Sequence, residues 1–117
     1  MKKWKFAIDN DKLIELVLSG KKTATTSNFD EEDIPVIGEE TIICFDNGTD
    51  ACVVKTVDYK IMKFCEMTED LAKLEGEGDL SLKYWKDVHY HFFKSNNYNF
   101  NDETLIAFEI FKVIKKF

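Results

Sequence analysis

Between residues 11 and 19 the apolar positions Leu13, Ile14, Val17 and Leu18 recur at helical spacing, with Lys12, Glu15 and Ser19 among them. Such spacing lines one face of a helix. Asp9, Asn10 and Asp11 are its candidate caps and Gly20 its stop. The period then changes: residues 21–27 carry three threonines and read as a strand. An acidic loop with Pro35 and Gly38 fills 28–38. Two β-branched stretches, 41–45 and 51–59, flank an Asn47-Gly48 step that predicts a hairpin. Thr68 is placed to cap a short helix over 69–74, which Gly76 and Gly78 end. A longer helix is predicted over 81–94, with Leu82, Trp85, His89 and Phe92 on one stripe and Val88 and Phe93 beside it. A polar loop follows, then a long strand over 104–113. Helix, strands, helices, strand, without βαβ alternation, predicts an α+β domain around a small curved sheet or barrel.

The length of 117 residues fits one domain spanning 1–117. Sixteen lysines stand against 22 acids, and the chain contains no arginine. Arginine is the usual bidentate reader of phosphate and guanine, so an acidic, arginine-free chain argues against DNA as a partner. The charge is uneven: residues 1–25 are lysine-rich, whereas 30–40 and 66–79 are acidic. No apolar run is long enough for a membrane helix, so no membrane partner is expected. Asp9, Asn10, Asp11 and Lys12 follow the basic start and break any signal-like pattern. Three cysteines, Cys44, Cys52 and Cys65, form no C-x-x-C pair. Cys44 and Cys52 lie symmetrically about Gly48 as candidate cross-strand neighbours and read as reduced core residues, which points to the cytoplasm.

Three segments carry more chemistry than folding requires. Gly20-Lys21-Lys22-Thr23-Ala24-Thr25 offers a hydroxyl and an amine near a helix end. Threonine attacks only when a base takes its proton, and lysine serves as that base only when its own proton is released. On a regular strand Lys22 and Thr25 would face opposite ways, so they converge only if the turn or a bulge holds one of them. The plainer reading is an ordinary helix end followed by a Thr-rich strand.

Glu75-Gly76-Glu77-Gly78-Asp79 places three carboxylates close together, a pattern for a metal loop or a general acid. An EF-hand register fails, because Leu80 and Lys86 fall where glycine and glutamate are needed. Like charges raise a carboxyl pKa, so one of these groups is placed to keep a proton near neutrality. A charged Lys22 close to Glu75 would instead lower its pKa and form an ion pair. The plainer reading is a solvated loop whose Asp79 or Ser81 caps the next helix. The third segment, Trp85-x-x-x-His89-x-x-Phe92-Phe93, offers a face that stacks a nucleobase or simply packs as core. With two histidines in the chain and no cysteine near this face, neither a zinc site nor any other cofactor is expected.

Together these words resemble the ASCH family, the activating signal cointegrator homology domains. The matching residues are Gly20-Lys21-Lys22-Thr23-Ala24-Thr25 after a helix, Pro35-x-x-Gly38 before a strand, and the word from Glu75 through Ser81-Leu82, Trp85 and His89 to Phe92-Phe93. The resemblance implies a PUA-like fold, a small β-barrel flanked by helices, with a cleft suggested for RNA or nucleotides. Some small bacterial members are amidohydrolases that remove the acyl group from N4-acetylcytidine, giving cytidine and a carboxylic acid. Others are ribonucleases or have no known activity. Carried over, the amidohydrolase roles fall on Lys22 as proton acceptor, Thr25 as nucleophile and Glu75 as proton donor. Lys21, Thr23, Glu77, Trp85 and His89 are the accompanying substrate-binding candidates. Many members place an arginine at the position of Ser27; its absence implies a nucleoside substrate more than RNA. The rival expectation is a non-catalytic RNA-binding module that uses the lysines of 1–25.

Overall fold

A computed structural model describes residues 1–117. In chain order the elements are β1 (Lys3–Trp4), α1 (Asn10–Leu18), β2 (Ala24–Asn28), β3 (Glu40–Cys44), β4 (Asp50–Lys63), a 3-10 turn (Phe64–Glu66), α2 (Glu69–Lys73), α3 (Leu82–Asn96) and β5 (Leu105–Lys116). The five strands form one sheet in the order β1-β3-β4-β5-β2. The β1–β3 pair is parallel and the others are antiparallel. The predicted α+β class holds. The ladder is not closed into a barrel, because β1 and β2 remain its two edges. Two residues of β1 reach only Ile42 and Ile43 of β3, too short a strand to seal the gap.

Local chemistry explains the element ends. Asn47 Oδ1 accepts hydrogen bonds from both Thr49 N–H and Thr49 Oγ1, and Gly48 takes a φ of +91°, so the predicted hairpin forms. Its register differs from the symmetric expectation: Cys52 pairs with Ile43, and Cys44 pairs with Asp50 across a bulge. All three cysteines are free thiols, Cys65 exposed and the other two buried. Thr68 Oγ1 accepts from Leu71 N–H and Ser81 Oγ from Tyr84 N–H, capping α2 and α3 as their positions predict. The start of α1 is held differently. Asp9 occupies the cap position with a left-handed backbone and no capping bond. Buried Asn10 instead accepts from Phe6 N–H at 2.8 Å and donates to the Cys44 carbonyl at 2.9 Å, tying α1 to β3.

The sheet buries both of its sides. Ile106 and Phe108 of β5 join Ala24, Phe64, Trp85, Phe93 and Phe100 in a core beneath α2 and α3. Phe111, three residues beyond Phe108 and so facing the other way, joins Phe6, Ile14, Val17, Ile43 and Val54 beneath α1. The turn after α1 leads into β2, whose first residue Ala24 belongs to the core beneath α2 and α3.

Candidate active site

Lys22 lies in that turn, after α1 has ended and before β2 begins. Gly20 takes a φ of +84°, and the N–H groups of Lys21 and Lys22 both return to the Leu16 carbonyl at 3.0 Å. The turn thereby removes Lys22 from strand alternation, the condition under which it and Thr25 can share a cleft. The turn is stitched to the α2–α3 loop. Thr23 donates to the Leu74 carbonyl through its N–H at 2.7 Å and its hydroxyl at 3.1 Å. Gly76 lies two residues after Leu74. A Cβ there would lie 2.1 Å from the Lys21 carbonyl oxygen, so only glycine lets the loop come so close.

The stitch delivers Glu75 and Glu77 to Lys22. Lys22 Nζ donates to Glu75 Oε1 at 3.2 Å and to Glu77 Oε2 at 2.8 Å, with the Glu75 carbonyl at 3.4 Å. Both the Lys22 and Glu75 side chains are almost wholly buried, 1 % and 2 % exposed, while Glu77 is 18 % exposed. The ammonium also lies 5.4 Å from the centre of the Phe6 ring.

Glu75 is surrounded by donors. Thr26 Oγ1 donates to its Oε2 at 2.7 Å, and the indole N–H of Trp85 donates to the same oxygen. His89 Nε2 faces Oε1 at 3.5 Å, and His89 Nδ1 lies 2.8 Å from the Trp85 carbonyl oxygen. The indole and imidazole stack, with centres 4.4 Å apart. Burial alone would push the Glu75 carboxyl up. The hydrogen bond from His89, the Lys22 charge and the Trp85 N–H outweigh it and hold the carboxyl at about 2. Glu75 is therefore ionised at neutrality: of the two opposed expectations, the ion pair with Lys22 is the one that forms, and the protonated donor held by neighbouring acids is not. Glu77 turns its charge to Lys22, and exposed Asp79 accepts from Ser81 N–H at the start of α3. Burial likewise opposes the charged form of His89, but the Glu75 carboxylate raises its pKa.

The cleft has a volume of about 140 Å³. Lys22, Thr25, Glu75, Glu77 and His89 line it, together with Thr26 and the apolar side chains of Phe6, Val88 and Phe92. It adjoins a wider groove of about 470 Å³ at Thr25, Thr26 and Phe92. Three candidates lie outside the cleft wall. Thr23 spends its hydroxyl on the stitch, Lys21 is exposed, and Trp85 is buried beneath Glu75. Thr26 escaped the sequence reading, because nothing in a run of threonines tells which hydroxyl meets a carboxylate 49 residues away. Donor atoms of Glu75, Glu77 and His89 approach within 4.8 Å of one another, a spacing suited to a metal ion. The Lys22 ammonium already provides the positive charge among them, and a metal ion bound to both carboxylates would compete with it for its partners.

The ASCH domain family model matches residues 2–115. This chain belongs to the ASCH domain family. An ASCH domain from Lactobacillus crispatus JV V101 superposes with a TM-score of 0.90 at 26 % identity, over 97 % of this chain and 79 % of that one. A protein of Enterococcus faecalis V583 assigned to the DUF984 family gives 0.87 at 29 % identity, over 99 % and 81 %. An ASCH protein of Zymomonas mobilis shares the fold at 10 % identity, with a TM-score of 0.55 over 95 % and 66 %. Among curated proteins, none matches the chain. No helix of this ASCH domain is long and apolar enough to cross a membrane.

Proposed function

We propose that this ASCH domain is an amidohydrolase that removes the acyl group from N4-acylated cytosine nucleosides. The observation that carries the reading is the buried Lys22–Glu75 pair, set in one cleft wall with Thr25. Structural pairs are usually left on the surface, since burying two charges costs several kcal/mol per ion before their attraction is counted. A pair that is both buried and open to a cleft is a signature of chemistry.

In this reading Thr25 Oγ1 attacks the acyl carbon and Lys22 takes the hydroxyl proton. The resting ammonium first hands a hydrogen to Glu77 Oε2, 2.8 Å away, which leaves the net charge of the site unchanged. Collapse of the tetrahedral adduct breaks the C–N bond on the side of Glu75, and cytidine leaves as the amine. Water then cleaves the Thr25 ester. The uncharged character of a nucleoside suits the adjoining groove, where Asp33, Glu39 and Glu109 lie among Lys2 and Lys5. Lys2 is 3.4 Å from Asp33, and Lys5 donates to the Asp46 carbonyl at 3.1 Å. A phosphate chain would have to compete with those partners, which favours the nucleoside over the RNA-binding alternative.

Incubation of the purified protein with N4-acetylcytidine, followed through the ultraviolet change as cytidine forms, tests the reading. Steady conversion supports it. An inert protein that instead retains single-stranded RNA with the salt dependence of phosphate contacts would favour the binding module.

A further inference from the structure

The proposed hydrolysis needs a proton for the departing amine, yet the group assigned to supply it is a carboxylate whose oxygens are all engaged. Oε2 accepts from Thr26 and Trp85, and Oε1 faces Lys22 and His89. Those donors leave Glu75 charged, so the missing proton must be held elsewhere in the cleft. His89 holds one by geometry. Its Nδ1 lies 2.8 Å from a carbonyl oxygen, which carries no hydrogen, so Nδ1 is the donor there. Its Nε2 faces a second acceptor, the carboxylate. An imidazole with an acceptor at each nitrogen is satisfied only when both carry hydrogen. The ring lines the cleft, and its side chain is 13 % exposed.

We propose that His89 stores the proton that the leaving amine takes, and delivers it across Glu75. The inference rests on the amidohydrolase reading. In the step, the bond between the acyl carbon and N4 breaks and its electron pair stays on N4. A proton moves from His89 Nε2 to Glu75 Oε1 and from that carboxyl to N4. Glu75 is again ionised, and His89 is neutral with Nδ1–H still on the Trp85 carbonyl. When water opens the Thr25 ester, its hydroxide joins the acyl carbon and its other proton returns over Glu75 to His89. Lys22 gives Thr25 its hydrogen back and recovers its own from Glu77 Oε2, which restores the resting ion pair. His89 thus acts through Glu75 as a positioning and proton-storing residue.

The charged groups facing the imidazole come from several elements. Glu75 and Glu77 belong to the α2–α3 loop, Lys22 to the turn before β2, and Asp9, at the start of α1, lies in the same cleft wall. On α3 itself Lys86 lies three residues earlier and lines a separate groove with Tyr90 and His91. The two carboxylates of the loop are the near charges, and both favour the imidazolium.

A pH titration of the His89 ring by NMR, in the wild type and in Glu75→Gln, reads the proton directly. The expected wild-type midpoint lies above the ordinary histidine value of about 6.5 and falls when Glu75 becomes an amide. In rate measurements His89→Gln should lose roughly 100-fold in kcat with KM little changed. The falling alkaline limb of the wild-type profile should disappear, and added imidazole should restore part of the rate of His89→Gly. A wild-type midpoint at or below about 6.5 overturns the proposal, and it does so whether or not the variants fold. Turnover by His89→Gln at the wild-type rate, with the alkaline limb intact, overturns the role of His89 alone. A wild type inert toward N4-acetylcytidine overturns the amidohydrolase reading and the proton's destination with it.

Discussion

Trp85 and Glu75 meet beneath the cleft, the indole N–H donating to the carboxylate from a ring that is 3 % exposed. The ring is fixed on both faces, stacked on Phe64 at 5.1 Å and on His89 at 4.4 Å. Its position follows from those stacks, so its N–H aims the carboxylate. Trp85→Phe should keep most of the packing and lose the donor. Folding should survive and turnover of N4-acetylcytidine should fall. Trp85→Ala should instead cost about 3–5 kcal/mol in denaturant unfolding. An unchanged unfolding midpoint for Trp85→Ala would contradict the core role of the indole.

Lys22 and Thr25 should respond differently to truncation. Thr25 is partly exposed in the cleft wall, so Thr25→Ala should abolish deacylation and leave the melting temperature nearly unchanged. Lys22→Ala should abolish it too, but it strands two carboxylates. Removing one partner of a buried pair costs roughly 3–5 kcal/mol, and thermal unfolding should show that loss. Near-native turnover by Thr25→Ala would remove the covalent step.

Acid should weaken the fold through Glu75. Its folded pKa, about 2, lies below the ordinary value of 4.5. Its stabilising contribution is complete above that ordinary value and is lost as pH falls from 4.5 toward 2. His89 acts with the opposite sign. Its raised pKa contributes stability that is present below the ordinary 6.5 and fades as pH rises through the folded value. Glu75→Gln should flatten both dependences in urea unfolding followed across pH. A wild-type unfolding midpoint that stays constant from pH 5 to pH 2, a range chosen to bracket these values, would rule out the linkage.

Glycine substitution separates the loop from the hairpin. Gly48→Ala adds a Cβ into open space at a φ of +91°, so it meets backbone strain alone. Gly76→Ala adds similar strain at +68° and a collision with the Lys21 carbonyl. Gly76→Ala should lower both stability and turnover, Gly48→Ala only stability and by less. Equal effects on activity would show that the close approach at Gly76 does not shape the cleft.

Much of this arrangement was legible in the chain because it is local. The Asn47-Gly48 step, the Thr68 and Ser81 caps and the apolar stripe of α3 each act within a few residues, and each appears where its pattern predicts. β1 was not legible, since two residues carry no period and pair only through β3. The far end of β4, Lys60–Lys63, was missed because its partners are the opening residues of β5, more than forty positions later. The family words brought out Lys22 and Glu75, and they do meet. The charge state of Glu75 lay beyond the sequence. It depends on Thr26, Trp85 and His89 arriving from two other elements, while the adjacent acids that suggested a proton turn elsewhere.

The double hydrogen bond from Thr23 to the Leu74 carbonyl has a consequence for the order of events in folding. It joins segments separated by 51 positions, and neither α1 nor the β3–β4 hairpin contains either of them. Closing so long a loop is slow and is rewarded only once both apolar cores have begun to form. Until then Lys22 and Glu75 remain hydrated and apart, so a partly folded chain should have no cleft chemistry at all. In hydrogen exchange the Thr23 amide should open only with the whole domain, and activity should return during refolding in step with its protection, with no earlier phase.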